Sequence, residues 1–216
     1  MLTKSAQETI DGSSNATACI ALGSREPSGC GYDADCAAAC IDDGGSTYHS
    51  AGVPDAVRKD FCGKHGNKQD YISLGSDGRF FIRRETGHEN WHVGDYGDEE
   101  FEDYVRGHEV KQVAFGSHDS SWFVLTPGGG YQYNAPPRGF TEAHSSNKYK
   151  KKVISDVSWG PDDEWWVRFS DGTWKVSDNC TVDFDEKIVE LKRDGWDIKK
   201  VIFGPDQQWV IRYDQP

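Results

Sequence analysis

The chain lacks the features of a helical bundle, of a membrane protein and of a nucleic-acid-binding protein. It contains one methionine and few leucines, and 36% of its 216 residues are hydrophobic, a low share for a globular protein. No apolar run approaches the about 18 residues of a membrane span. The net charge is −12, which argues against a nucleic acid partner because phosphate binding needs a basic face.

Most motifs of catalysis are missing as well. The sequence has no nucleophile elbow and no GxGxxG, and "PGGGY" at 127–131 lacks the lysine and the following helix of a phosphate-binding loop. The acidic turns do not have the spacing of an EF-hand. We therefore expect a protein that is not an enzyme, with no catalytic residues and no cofactor.

One string resembles a metal site. "HENWH" matches the H-E-x-x-H motif of zinc proteases through His88, Glu89 and His92, and that motif works on a helix, which places its two histidines side by side. Three glycines within 87–97 disfavour a helix, and the repeat described below places Trp91 in a strand. Residues i and i+4 of a strand lie about 13 Å apart, at ~3.3 Å per residue. We expect no metal here, and a zinc metalloprotease is the remote alternative.

The cysteines are few but clustered. Five of the six fall in the first 62 residues and Cys180 stands alone, without any C-x-x-C pair that would indicate a zinc knuckle. An even, clustered set suits disulfides in an oxidising compartment, with free buried thiols as the alternative. This slightly favours an extracellular location, although the opening residues show no apolar stretch of signal-peptide type. In an exported protein we expect Cys30, Cys36, Cys40 and Cys62 to be oxidised, but Cys36 and Cys40 not to pair with each other, being about 13 Å apart on one strand.

The chain does contain an internal repeat. An apolar segment that ends in glycine occurs five times, and the glycines are separated by 52, 41, 44 and 44 residues. The segments are CIALG (19–23), YISLG (71–75), QVAFG (112–116), DVSWG (156–160) and KVIFG (200–204). A polar turn and an aromatic second strand follow, and then a glycine-containing turn and a short third strand. Helical segments close the units at 54–63, 98–107, 136–144 and 185–195.

This pattern predicts a mainly β protein of about five antiparallel β units with a short helix each. The units cannot bury both faces alone, so neighbours must stack, most simply in a small β-propeller, with an open β-solenoid as the alternative. Residues 1–66 form a divergent, cysteine-rich first unit or cap, and residues 67–216 form the β-repeat region, together one propeller-like domain. In the first unit, Ala37 and Ala38 align with Trp165 and Trp166. The last unit stops after its second strand, and we expect the first sixteen residues to complete it.

The W-x-V-R-F and D-G elements of the repeat, over about residues 68–216, resemble the aromatic and glycine repeats of β-propeller lectins of the tachylectin and tectonin kind. The helical segments depart from those repeats. The resemblance implies a secreted, multivalent, carbohydrate-binding module. A protein–protein interaction scaffold is the alternative, for which the acidity of the chain suits a basic partner.

Six residues are candidates for ligand binding. The tryptophans are Trp91, Trp166 and Trp174, and the arginines are Arg83, Arg168 and Arg212. The tryptophans alternate away from the apolar strand face or lie on the short outer strand, where an exposed ring could pack against a sugar; the alignment places Trp91 on Trp174. The arginines stand at the same position of the second strand of the repeat. They could form a ring of polar ligand sites, or each aliphatic part could pack on aromatic rings while its guanidinium pairs with a carboxylate.

Overall fold

In the computed structural model the protein is mainly β, as predicted, and its described residues form five small antiparallel sheets and four short helices. The structure describes residues 17–24, 36–42, 47–49, 53–62, 69–84, 87–93, 97–146 and 148–214. The predicted completion of the last unit by the first sixteen residues lies outside this part of the chain.

Five units, numbered 1 to 5 along the chain, each pair consecutive strands. Unit 1 contains β1 (Thr17–Ser24), β2 (Cys36–Asp42) and β3 (Thr47–His49). Unit 2 contains β4 (Gln69–Leu74), β5 (Phe80–Arg84) and β6 (Glu89–His92). Unit 3 contains β7 (Gln112–Phe115), β8 (Trp122–Leu125) and β9 (Tyr131–Asn134). Unit 4 contains β10 (Ile154–Trp159), β11 (Trp165–Phe169) and β12 (Trp174–Val176). Unit 5 contains β13 (Asp197–Gly204) and β14 (Gln208–Asp214).

A short helix follows each of the first four units, as predicted. The helices are α1 (Asp55–Cys62), α2 (Glu99–Gly107), α3 (Phe140–Ser145) and α4 (Val182–Arg193). The longest, α4, is capped at its N-terminus by Thr181, whose hydroxyl accepts from the Phe184 N–H at 3.3 Å. Its Phe184 ring packs against Phe203 and Trp209, each 5.6 Å away between centroids. The helix therefore fills the space between unit 4 and unit 5.

The first strands of the five units lie side by side. Each packs beside the first strand of the next unit, and β13 packs beside β1, so that the contacts run in a cycle. A narrow channel of about 40 Å³ runs among them and is lined by residues from all five first strands. Members of this lining include Ala21, Ile72, Val113, Val157 and Ile202.

The glycine that ends a first strand is required by the close approach of the next unit. A Cβ at Gly75 would lie 2.8 Å from Phe115 Cβ, and one at Gly160 would lie 2.7 Å from Phe203 Cβ. Both distances are shorter than real Cβ contacts, so only glycine fits. The aromatic residue that precedes one glycine thus covers the glycine of the unit before it, which explains why the two residue types recur together.

A buried arginine joins unit 2 to unit 3. Arg79, directly before β5, has no exposed surface, and its guanidinium donates to the carbonyl oxygens of His118 at 2.5 Å, Ser121 at 3.1 Å and Gly116 at 2.6 Å. Burial lowers the pKa of this guanidinium, and the nearby carboxylates oppose that effect. The carbonyl groups of one turn are therefore satisfied by a side chain from the neighbouring unit.

Strand register corrects the predicted alignment of unit 1. In β10, the residue before the terminal glycine pairs with Trp165, and in β1 the residue before Gly23 pairs with Ala38. Trp165 therefore corresponds to Ala38, and the alignment that began at Ala37 is wrong by one residue. The predicted alignment placed Asp43-Gly44 on Asp171-Gly172. That choice displaces the second strand of unit 1 by one residue relative to that of unit 4.

The structure tests part of the cysteine prediction. Cys36 and Cys40 lie on the same strand, β2, as predicted. Cys30 and the side chains of the other N-terminal cysteines lie outside the described residues, so the predicted oxidation stays a prediction. Cys180 is a free thiol.

Candidate functional site

In units 2 to 5 each first strand carries a polar side chain four residues before its terminal glycine. These residues are Tyr71, Gln112, Asp156 and Lys200. In units 2, 4 and 5 the strand pairing shifts immediately before this position, as at a β-bulge. Because these positions are equivalent, the four side chains come together at the end of the channel where the first strands begin.

Two of these side chains bond to the backbone of the next unit at one equivalent place. The Tyr71 hydroxyl donates to Val113 O at 2.7 Å and accepts from Val113 N at 3.1 Å. Gln112 Nε2 donates to Val157 O, and Gln112 Oε1 accepts from Val157 N at 3.3 Å. Each side chain thus supplies one donor and one acceptor to a single residue of its neighbour.

Asp156 completes the links between units 3, 4 and 5. Its Oδ1 accepts from Gln112 Nε2 at 2.8 Å and from Lys200 Nζ at 3.0 Å. The side chains of the ion pair are 25% and 19% exposed, so the pair is less screened by solvent than an ion pair on an open surface. The bonds therefore join three consecutive units through side chains alone.

Two of the predicted arginines pair with aspartates and hold the segment that leads into the next unit. Arg83 Nε lies 3.0 Å from Asp70 Oδ1, and Arg83 Nη1 donates to Lys111 O at 3.1 Å. Arg168 Nη2 lies 3.3 Å from Asp197 Oδ2. Both guanidinium groups are therefore paired with carboxylates, which is the predicted alternative to a ring of ligand sites.

Trp166 is fully buried, so the expectation that its ring is exposed is wrong. It packs in a cluster with Phe184 and Leu191, which project from α4. A helix covers the outward face of β11, and strand alternation alone does not predict that cover. Trp166 Nε1 has no hydrogen-bond partner.

Trp91 and Trp174 are half-buried, and each is covered by a cation from the following helix. The Arg106 guanidinium lies 5.9 Å from the centroid of Trp91, and Lys192 Nζ lies 4.1 Å from that of Trp174. Both cations come from the last turn of their helix. These two rings therefore carry a cation where a sugar ring was expected.

The predicted alignment of Trp91 with Trp174 is wrong by two residues. Trp91 pairs with Phe81 across the strands, whereas Trp174 pairs with Arg168, two positions farther along the second strand of the repeat. Both rings remain on the same face of their strand because a shift of two residues preserves the face.

Four of the five residues of the H-E-x-x-H segment, Glu89–His92, form strand β6, and His88 directly precedes it, which confirms the prediction that Trp91 is in a strand. His88 and His92 are exposed. Within the part of the chain that the structure describes, no group of three or more His, Cys, Asp or Glu side chains is placed to hold a metal ion. Burial raises the pKa of Glu89 from 4.5 to about 6, an effect that the charge of Arg83 opposes.

The polar end of the channel opens into a cavity of about 370 Å³, which we call the channel mouth. It is lined by Asp70, Tyr71, Arg83, Lys111, Gln112, Asp156, Lys199, Lys200 and Arg212. Five of these residues are basic and two are acidic, in a chain whose net charge is −12. The lining is therefore richer in basic than in acidic residues, although Lys199 also pairs with Asp197 at 2.5 Å and with Asp214 at 3.4 Å.

The channel mouth brings together two of the six predicted site residues, Arg83 and Arg212. The three tryptophans and Arg168 do not line it. Sequence reasoning missed Lys111, Lys199 and Lys200, although a signal was present. Lys200 stands at the polar position four residues before a terminal glycine, and the other two lysines stand one residue before that position.

Comparisons with known proteins place the chain in no family. No family model and no curated protein matches it. A solved structure of YCF48 bound to D1 peptide is 11% identical, with a TM-score of 0.31, over 75% of this chain and 50% of that one. A streptogramin B lyase structure is 13% identical, with a TM-score of 0.24, over 88% of this chain and 61% of that one. The chain thus spans about half the length of the first structure and less than two thirds of the second. None of the described helices has the length and apolar character needed to cross a membrane.

Proposed function

We propose that the five units are the blades of a small propeller, closed where β13 packs beside β1, and that the protein is a non-enzymatic binding module. Its ligand is a partner protein that places an anionic group in the channel mouth. The cycle of contacts between first strands supports the closure. Residues from all five first strands around one channel support it independently.

The observation that carries the binding role is the charge of the mouth. Five basic side chains face two carboxylates there. Lys199 is also paired with Asp197 and Asp214, whereas the Lys111 ammonium donates to the carbonyl oxygen of Ser155 at 2.7 Å. That contact satisfies a donor of the lysine without neutralising its charge. Positive charge held in a concave site attracts an anion more strongly than the same charge on a flat surface.

The channel itself is too narrow for a ligand. Its volume of about 40 Å³ leaves room for only a few water molecules, at roughly 10–15 Å³ each by the same measure. A partner therefore binds at the mouth and does not thread through the ring.

A protein partner is favoured over a glycan because the predicted platforms are covered. Trp166 is buried, and cations lie over Trp91 and Trp174. Glycan binding is the second candidate and depends on another ring, Tyr131. This ring is 39% exposed and packs beside Phe123 and Tyr133, at 5.4 and 6.1 Å between centroids, so part of its aromatic surface is open to a sugar.

A charge reversal tests the mouth. We expect Lys199→Glu to weaken binding of a fluorescent, capped triglutamate peptide at least about tenfold, equivalent to about 1.4 kcal/mol, when anisotropy is measured at low salt. Lys151→Glu is the matched control, since Lys151 is exposed and does not line the mouth. Equal affinities of the two variants contradict the proposal. Binding to a glycan array that Tyr131→Ala abolishes and Lys199→Glu does not affect supports the second candidate instead.

A further inference from the structure

The channel mouth continues outward between unit 2 and unit 3. A second cavity, of about 570 Å³, shares Asp70, Arg83 and Lys111 with the mouth. We call it the inter-unit groove; it extends from these shared residues to Glu89 on β6 and Arg106 at the end of α2. The mouth and the groove together form one continuous depression from the centre of the ring to its periphery.

The whole depression is enriched in basic residues. Among the described residues, seven lysines and arginines and four carboxylates line the mouth and the groove. The chain as a whole has 24 lysines and arginines and 36 aspartates and glutamates. The depression therefore holds a much larger share of the positive charge than of the negative charge.

Arg106 is an exposed member of this lining, with surface contacts to Glu102 and Trp91. Its salt bridge to Glu102 connects residues i and i+4 of one exposed helix face, with 60% of the arginine side chain exposed. Exposed pairs of this kind stabilise a helix by only about 0.3–0.5 kcal/mol. An anionic ligand in the groove can therefore take Glu102's place at little cost.

We propose that the mouth and the groove bind an extended acidic segment of a partner polypeptide, with one acidic side chain at the mouth and further ones along the groove. This inference rests on the proposed function and adds the form and direction of the ligand. Extended peptides commonly bind in such grooves through regularly spaced side-chain contacts.

The chemistry of the walls favours a polypeptide over a nucleic acid. Asp70, Glu89 and Glu109 stand among the basic residues, where they can accept hydrogen bonds from the backbone N–H groups of a peptide, whereas a sugar–phosphate chain has no N–H groups to donate. Single-stranded nucleic acids bind largely by stacking bases on aromatic rings. In the described lining the Tyr71 ring has the Arg83 guanidinium over it, 5.6 Å from its centroid.

Peptide length and one groove variant test the inference. The probes are two capped peptides, a triglutamate and a decapeptide of alternating glutamate and serine. We expect the decapeptide to bind the wild-type protein at least about tenfold more tightly. Arg106→Gln should weaken the decapeptide about threefold to fivefold and leave the triglutamate unchanged. Arg58→Gln is the matched control, because Arg58 is an exposed helical arginine that is paired with an acid on its own helix and does not line the groove.

The outcomes separate this inference from the proposed function. Equal affinity of the two peptides, or equal effects of Arg106→Gln and Arg58→Gln, overturns the extended segment but leaves the mouth in place. Failure of both peptides to bind, or indifference to Lys199→Glu, overturns the proposed function as well. A single-stranded decanucleotide that displaces the decapeptide at lower concentration overturns the assignment to a polypeptide.

Discussion

Phe203 lies directly over Gly160, so close that a Cβ on this glycine would stand 2.7 Å from Phe203 Cβ and 2.4 Å from Glu164 Oε2. We expect Gly160→Ala to lower the free energy of unfolding by about 2–3 kcal/mol, because a filled site must push unit 5 away from unit 4. Urea unfolding measures the change. The control is Gly107→Ala at the end of α2, where the new methyl group meets open space and should leave stability unchanged or raise it by up to about 1 kcal/mol. Similar losses for both variants would contradict the role of the close approach.

Arg79 offers a second test of the contacts between units. We expect Arg79→Lys to destabilise the protein by about 3 kcal/mol, since an ammonium group cannot reach the carbonyl groups of Gly116, His118 and Ser121 at once and leaves buried acceptors unsatisfied. The exposed Arg193→Lys serves as the control and should change stability by less than about 0.5 kcal/mol. Thermal and urea unfolding give both values, and a small loss for Arg79→Lys would show that water replaces the guanidinium.

The repeat made the sheets and helices predictable, because the spacing of glycine and aromatic residues follows from how one unit covers the next. The sequence could not show which rings stay exposed. Alternation along β11 places Trp166 on the face opposite to Trp165 and Val167. Phe184 and Leu191 of α4 cover that face, and their position depends on tertiary packing. Only part of the channel mouth could be predicted from the sequence. Arg83 and Arg212 share a register in the second strand, whereas Lys199 joins them only because the first strands meet at one end of the channel.

Trp165 and Trp166 are adjacent buried tryptophans that differ in whether the indole N–H is hydrogen-bonded, so comparing them measures the contribution of that hydrogen bond to stability. Trp165 Nε1 donates to Arg138 O at 3.0 Å, and Trp166 Nε1 is buried without a partner. Both substitutions to phenylalanine remove similar volume, but only Trp165→Phe also removes a hydrogen bond. We expect it to cost about 1–2 kcal/mol more than Trp166→Phe in chemical unfolding. The reverse order would show that Trp166 Nε1 is hydrogen-bonded in solution.

Glu89 should make stability depend on pH in an unusual direction. Its pKa is raised from 4.5 to about 6 in the folded protein, so the folded state binds more protons than the unfolded state between these values, and stability falls as pH rises through them. The shift corresponds to about 2 kcal/mol, which partial solvent exposure reduces to about 1 kcal/mol. We expect Glu89→Gln to be more stable than the wild type by about 1 kcal/mol at pH 8 and by almost nothing at pH 4. The exposed Glu186→Gln is the control, and an equal pH dependence of both variants contradicts the prediction.

Cys180 should react slowly in the folded protein. Burial raises the pKa of its thiol to about 11, with a hydrogen bond to Ser177 opposing the effect, so roughly one thiol in a thousand is ionised at pH 8. We expect alkylation by iodoacetamide at pH 8 to be at least about a hundredfold slower than that of glutathione, and denaturant to remove the difference. Rapid labelling of the native protein would mean that the thiol is open to solvent.

The same reagent decides the predicted oxidation of the N-terminal cysteines. After denaturation without reductant, mass spectrometry counts the alkyl groups on the chain. Two groups or none support disulfides among Cys30, Cys36, Cys40 and Cys62, whereas all six cysteines alkylated contradict them and weaken the extracellular assignment.

The links at the polar end of the channel differ in chemistry from one junction between units to the next. Tyr71 and Gln112 each offer a donor and an acceptor to one backbone residue of the following unit. Asp156, at the equivalent position, is a carboxylate and can only accept. In unit 4 the donor comes from another side chain, because the Ser158 hydroxyl donates to the carbonyl oxygen of Val201, the residue equivalent to Val113. The junctions are therefore not chemically identical: the same backbone position is bonded by a tyrosine, a glutamine or a serine side chain in successive units, even though the glycine and aromatic positions stay in register.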